Sequence, residues 1–253
     1  MAKNLLILVM SALLAISCAK KISEKTADKQ VRQLKSFTKL NVKGEVDLVI
    51  NTRRPKNQVI LTGDPRDLKH VKTEVIDGML MVSVDPRYPK YGKLKTQVNT
   101  RYLNLLAYNG HGHIHSKRLY SNLFEADITN DGSVNLSGKI GLRKLRVSGE
   151  GVTTIHGISS RNLSIEMIES PKVNLRGFAK LKNLEYTGAG YLNAYWINSP
   201  ELTVKGSGYG TIQLAGKVNE LHLELRGHAK FKGRYLRAKR GFIKTYGRSL
   251  AEV

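Results

Sequence analysis

FEADITNDGSVNLSGKIGLRKLRVSGEGVTTI, residues 124–155, decides the fold. Its inward candidates recur at every second position: Ala126 and Ile128, Val134 and Leu136, Leu145 and Val147, Thr153 and Ile155. A spacing of two belongs to a strand, whose side chains alternate between faces; a helix needs spacings of three and four. Outward from this stretch the pattern repeats. One marker position falls at Gly112, Gly132, Gly151, Pro171, Gly190, Gly208 and Gly227, at intervals of 20, 19, 20, 19, 18 and 19. Each unit reads as strand, glycine turn, strand and a short third segment such as GKIGLRK (138–144). Units of this length cannot bury an apolar row alone and stack as coils. The predicted fold is therefore all-β: a single-domain parallel β-helix, or β-solenoid, with coils of 19–20 residues. Right-handed winding is the default for parallel crossovers.

The regular repeats run over 103–233. Residues 36–102 read as irregular N-terminal coils of the same domain, because GEVDL (44–48) matches GSVNL (132–136) and PKVNL (171–175). Asp77-Gly78 between two apolar runs signals a two-residue hairpin. The stretch 85–101 is expected to be a loop or edge. Residues 234–253, with RYLRAKRGFIKTYGRS at 234–249, are expected to cap the last coil.

FTKLNVKGEVDLVINT (37–52), VILTGD (59–64) and VKTEVIDGMLMVSV (71–84), followed by the glycine-marked repeats, resemble a bacterial family. That family is called putative auto-transporter adhesin, head GIN domain. The resemblance covers about residues 36–250. It implies a β-helical fold on envelope proteins and brings no catalytic residues to carry over.

Residues 1–17 read as an export signal: Lys3, then an apolar run from Leu5 to Ile16, too short to span a bilayer as a lasting helix. Ala15-Ile16-Ser17-Cys18 resembles the lipobox of bacterial lipoproteins, in which the cysteine is lipidated. Cys18 is the chain's single cysteine, so no intramolecular disulfide or cysteine-cluster metal site exists. A lipid anchor in the cell envelope follows, in the outer membrane by the Ala19 that succeeds the cysteine. Residues 18–35 are polar and lysine-rich and read as a tether, with at most a short helix.

Hydrophobic residues make up 41% and charged residues 25%, which excludes a multi-span membrane protein and a wholly disordered chain. Lys and Arg number 42 against 20 Asp and Glu, for a formal charge of +22. Three basic clusters stand out. The first is Lys139, Arg143 and Lys144. The second is Arg176, Lys180 and Lys182. The third is Lys230, Lys232, Arg234, Arg237, Lys239, Arg240 and Lys244. On an exported protein such charge favours anionic glycans, lipopolysaccharide or other acidic polymers, and not intracellular nucleic acid.

Other outward positions have plainer readings. Asp127, Arg146 and Glu166 fall at one position of successive coils, as a charge ladder. Asn135, Thr154, Asn174, Asn193 and Thr211 form a polar ladder. Tyr191 and Tyr209 are expected on one outward row near Tyr195, as candidate glycan-stacking rings. His111, His113 and His115 alternate along one strand, whose length keeps three imidazoles from converging on one ion. No metal or cofactor is expected.

Acid–base glycan cleavage needs clustered carboxylates. No Asp follows Asp131, and Glu201, Glu220 and Glu224 show no shared outward register. P-loop, HExxH and GxSxG signatures are absent from the sequence. The expected function is a non-enzymatic, adhesin-like envelope lipoprotein that binds anionic surfaces through basic faces. The alternative is a periplasmic structural or assembly module working by protein contacts, with self-association possible; a polysaccharide-active enzyme ranks below both.

Overall fold

The computed structural model describes residues 27–87 and 90–253. Cys18 and the signal-like segment lie outside the described residues, as does most of the expected tether. From residue 114 onward each coil is one long, twice-bent strand: β9 (Ile114–Asn130), β10 (Ser133–Ser148), β11 (Val152–Glu169), β12 (Lys172–Gly188), β13 (Tyr191–Gly208), β14 (Thr211–Gly227) and β15 (Lys230–Thr245). Each pairs in parallel with the next. Breaks in register, such as those between Ser137 and Ile140 and between Ile140 and Lys144, mark two bends. They divide every coil into a first, a short second and a third segment. The whole is a single-domain β-solenoid of about 7 turns.

Period two dictates the core. Val134, Leu136, Ile140, Leu145 and Val147 of β10 are all buried, and the matching rows of its neighbours fill the same interior. Burying a Leu, Ile or Val side chain contributes about 1.5–3 kcal/mol. Tyr186 also points inward, over Gly206 and Gly210, where any Cβ would overlap its ring. Burial pushes its phenol up to about 12.

The strand register corrects the marker in the last two coils. Leu192 pairs with Ile212, and Ile212 with Phe231. The counterparts of Gly190 are therefore Gly210 and Ala229, not Gly208 and Gly227, and the intervals become 20, 19, 20, 19, 20 and 19. A two-residue slip leaves every apolar side chain facing inward, so alternation alone is blind to it. The glycines at 206, 208 and 210 offered rival markers.

In the N-terminal coils chain order and spatial order part company. Strands β2 (Lys39–Lys43) and β3 (Asp47–Asn51) form a coil between an outer one, β6 (Met79–Val84) with β7 (Lys95–Asn99), and the next, β8 (Leu105–Gly110) with β9. Residues 95–99 of the expected loop are thus an inner part of the sheet. Antiparallel strands close this end: β4 (Gln58–Gly63) on β7 and β5 (Val71–Ile76) on β6. The β5–β6 turn is Asp77-Gly78, with φ of 48° and 71°, as the sequence predicts. One four-residue helix, α1 (Pro65–Leu68), follows β4.

Two boundaries differ from expectation. Residues 28–33 of the expected tether form strand β1, antiparallel to β4. Backbone pairing and Arg32, which donates to the Val71 carbonyl at 2.7 Å and to Thr73 Oγ1 at 3.0 Å, replace the missing apolar content. At the other end, residues 234–245 continue a full coil. Only β16 (Leu250–Glu252) lies over it, on Lys230 to Lys232.

Candidate anion-binding face

The three segments give the rod three outward surfaces of different chemistry. The first-segment ladder runs His115, Asn135, Thr154, Asn174, Asn193 and Gln213; Gln213 takes the place expected for Thr211. The third-segment ladder runs Asp127, Arg146, Glu166, Glu185, Lys205, Glu224 and Lys244. Arg146 and Lys205 there sit between carboxylates on both sides, and Lys244 beside Glu224. Arg146 Nη2 lies 3.8 Å from Glu166 Oε1, and Arg226 Nη2 lies 2.7 Å from Glu224 Oε1. The Arg226 hydrogen bond holds the Glu224 carboxyl below its ordinary range.

The second segment is different. Asn198, Lys217 and Arg237 pair across β13, β14 and β15. Arg161 and Lys180 follow Ser160 and Ala179, which pair across β11 and β12. Four of these five outward residues are cations. Lys139 and Arg143 continue the surface on β10, and Lys117 and Arg118 on β9. Between 117 and 240 the carboxylates of this segment are Glu201 and Glu220. These two pair on adjacent strands, against the sequence expectation of no shared register. Glu220 is already engaged, by Arg240 Nη2 at 2.8 Å and His222 Nε2 at 2.8 Å.

At its N-terminal end the basic surface deepens into a cavity of about 720 Å³. Arg53, Arg54, Lys117, Arg118, Lys139 and Tyr120 line it, and no carboxylate does. The turn carrying the two arginines is fixed by local bonds. Thr52 Oγ1 donates to the Arg118 carbonyl at 2.9 Å and accepts from the Tyr120 N–H at 2.8 Å. The Arg53 and Arg54 N–H groups donate to the Arg101 and Thr100 carbonyls, both at 3.0 Å. Arg53 has a φ of 59°, and its guanidinium stands 3.8 Å above the Tyr120 ring. A second opening of about 420 Å³ shares Lys139 and adds Arg143 and Arg161.

All thirteen basic residues singled out in the sequence are exposed. The fold brings Lys139, Arg143, Lys180, Lys182, Arg237, Lys239 and Arg240 to the second segment or the bend after it. It sends Lys144 and Lys244 to the third segment, and Lys230 and Lys232 to the first; Arg176 and Arg234 stand beside the first bend. Sequence runs did not reveal Arg53, Arg54, Arg161 and Lys217. Arg161 and Lys217 come one per coil and gather only when residues about 19 apart are stacked, and Arg53 and Arg54 reach Lys117 and Arg118 only because β3 lies beside β9.

The aromatic and histidine expectations need correction. Tyr191 pairs with Thr211, not Tyr209, and its hydroxyl donates to Gln213 Oε1 at 2.9 Å. Tyr209 sits at a turn and stacks on His228, with ring centroids 4.6 Å apart. Tyr195 is half-buried and stays near Gln213. His111 and His113 lie in the bend before β9, not on one strand with His115. His111 Nδ1 contacts Asp131 Oδ2 at 3.0 Å, and His113 Nδ1 contacts Ser133 Oγ at 2.9 Å. Among the described residues no cluster of three metal-ligating side chains occurs.

The fold defines the chain as a single-domain β-solenoid, one face of which is rich in cations. The sequence matches the family model of the "putative auto-transporter adhesin, head GIN domain" over residues 36–208 and 141–253, and the chain belongs to that family. No curated protein matches it. Among solved structures it is similar to a "putative adhesin" from Parabacteroides merdae. That match has 17% identity and a TM-score of 0.76, and covers 91% of this chain and 97% of the other. A "putative lipid binding protein" from Parabacteroides distasonis matches at 15% identity and TM-score 0.74, covering 91% and 98%. A "putative adhesin" from Bacteroides fragilis matches at 17% identity and TM-score 0.64, covering 90% and 96%. At these identities the likeness concerns the fold. The family and these neighbours are described as adhesins or lipid-binding proteins, not as enzymes.

Proposed function

We propose that this protein is a non-enzymatic, adhesin-like component of the cell envelope that binds an anionic polymer along the second-segment face. The observation that carries the reading is the cation row Arg161, Lys180, Lys217 and Arg237, which leads from the carboxylate-free cavity at Arg53 and Lys139. Stacked coils set neighbouring cations about 4.8 Å apart at the backbone. Like charges so placed repel, by up to about 1 kcal/mol per pair in bulk water. A polyanion laid along the row relieves that repulsion and releases its own counterions. The matching residue at the export signal is Cys18, read as the lipid attachment point that holds the rod at a bacterial membrane, in the outer membrane by the sequence rule above. The test is binding to immobilised heparin, polygalacturonate and polyphosphate between low and high salt. Affinity should fall steeply and log-linearly with salt. Affinity independent of salt for every polymer tried would end the reading.

One observation favours a second reading, the assembly module. The last coil leaves Phe242, Ile243 and Leu250 exposed at the rod's end. Oligomers that persist at high salt, without polymer binding, would carry that reading instead.

A further inference from the structure

The first bend of the long strands has a fixed requirement. Gly138, Gly157, Gly177 and Gly216 take φ of 153°, 79°, 136° and 142° there. A Cβ on any of them would run into a carbonyl oxygen of the preceding coil, that of Leu119, Gly138, Ile158 or Ile197. In β13 the residue at this bend is Trp196, with φ of 66°. A bulky L-residue rarely adopts that conformation, and strained positions of this kind cluster at functional sites. Packing does not repay it, because the side chain is 73% exposed. Glycine would serve the fold better, so the indole serves contact with something outside the chain.

Its surroundings say what. Phe178, 45% exposed, precedes Ala179, whose partner Ile197 follows Trp196. Tyr235, 65% exposed, stands two coils further on and pairs with Ala215, so the residue at this position on the intervening coil is small. Lys180, Lys217 and Arg237 run alongside, on the row that follows this bend. A ligand fitting both features has flat apolar ring faces and negative charges in one chain. Stacked nucleic-acid bases advance about 3.4 Å per residue, out of step with a coil pitch of about 4.8 Å.

We infer that Trp196, with Phe178 and Tyr235, is the ring-stacking site for an acidic polysaccharide, its carboxylates or sulfates meeting the adjacent cations. This rests on the second face being anion-binding, and it narrows the polymer to one with sugar rings.

Trp196 is the chain's single tryptophan, so its fluorescence reports the site directly. The full protein is titrated with oligogalacturonate, with polyphosphate of matched charge, and with oligo(dT). Oligogalacturonate should shield the indole from acrylamide quenching, while polyphosphate binds without shielding it. Trp196→Gly gives the bend the residue its neighbours use, and circular dichroism checks its fold. It should lose at least fivefold in affinity for oligogalacturonate and stay within twofold for polyphosphate. An indole still open to acrylamide with oligogalacturonate bound overturns the inference and leaves the anion-binding face standing. So does a Trp196→Gly variant that binds both polymers as the wild type does. Stronger shielding by oligo(dT), with a larger loss of that ligand in the variant, reassigns the site to nucleic acid and overturns it too. If no polymer binds, both readings fall together.

Discussion

On the third segment most neighbours along the ladder are of opposite charge: Arg146 lies between Asp127 and Glu166, and Lys205 between Glu185 and Glu224, with Glu166 beside Glu185 the one like pair. On the second segment Lys217 meets Arg237, and Arg161 and Lys180 follow paired residues. The backbone is the same and so is the pitch. Opposite charges facing each other across strands contribute roughly 0.2–1 kcal/mol per pair, and like charges cost a similar amount. The third segment therefore carries charge in the arrangement that serves the fold. The second carries it in the arrangement that costs the fold, which points outside the molecule for its use. The comparison also explains why a formal charge of +22 is a poor guide by itself: what matters is where compensation is missing.

The sharpest way to break this comparison holds net charge constant. Lys139→Glu/Lys180→Glu/Lys217→Glu alters the second segment, and Arg146→Glu/Lys205→Glu/Lys244→Glu the third, with equal change in charge. The second-segment triple should weaken polyanion binding about a hundredfold at low salt and flatten the log affinity–log salt slope by about 2, for three lost contacts. The third-segment triple should change affinity less than about threefold, since its cations are already paired. It should lower the melting temperature instead, by placing like charges opposite one another. Equal loss of binding in both triples would mean that affinity follows net charge alone. Isothermal titration at several salt concentrations, with thermal unfolding of each variant, reads all of this.

The two kinds of first bend sharpen the comparison from the backbone side. Gly157 belongs to the fold: φ is 79°, and a Cβ would strike the Gly138 carbonyl oxygen. Gly157→Val should cost about 3 kcal/mol or more, from the left-handed conformation and the steric conflict together. Trp196→Gly should instead leave stability unchanged or raise it slightly, since it removes strain and little buried surface. Urea unfolding separates the two. A large loss on Trp196→Gly would make the indole a packing residue and remove the contrast.

How much of this was legible follows from what the pattern encodes. Alternation at spacing two tells inside from outside, so the β-solenoid, its coil length and the buried rows from Leu106 to Leu223 could be read directly. Facing is unchanged by a slip of two, so the register of the last coils could not. That single slip misplaced Tyr209 beside Tyr191. Basic runs such as Arg237 to Arg240 were visible as runs. The second-segment row was not, because Arg161, Lys180 and Lys217 are near one another only after stacking. The position of β2–β3 between β6–β7 and β8–β9 was also hidden, since pairing between elements out of chain order leaves no local mark. Nothing in the pattern singles out Trp196; its φ and exposure do so only beside the glycines at the same bend.

The smallest expected effect tests the compensated face itself. Glu224 accepts from Arg226 at 2.7 and 3.0 Å and is held below the ordinary glutamate range. A depressed folded value means the unfolded chain takes up the proton first as pH falls. The contribution of the pair is thus fully present above the ordinary value of about 4.3. It is lost as pH falls through the lower, folded value. Glu224→Gln should unfold slightly below the wild type in temperature at pH 7, and the gap should close as acid protonates Glu224. The group is exposed, so the gap will be small and further reduced by salt. A gap that stays constant from pH 7 to below pH 3 would show that the pair contributes through shape and not charge. The third segment would then lose its standing as the face where charges hold the coils together.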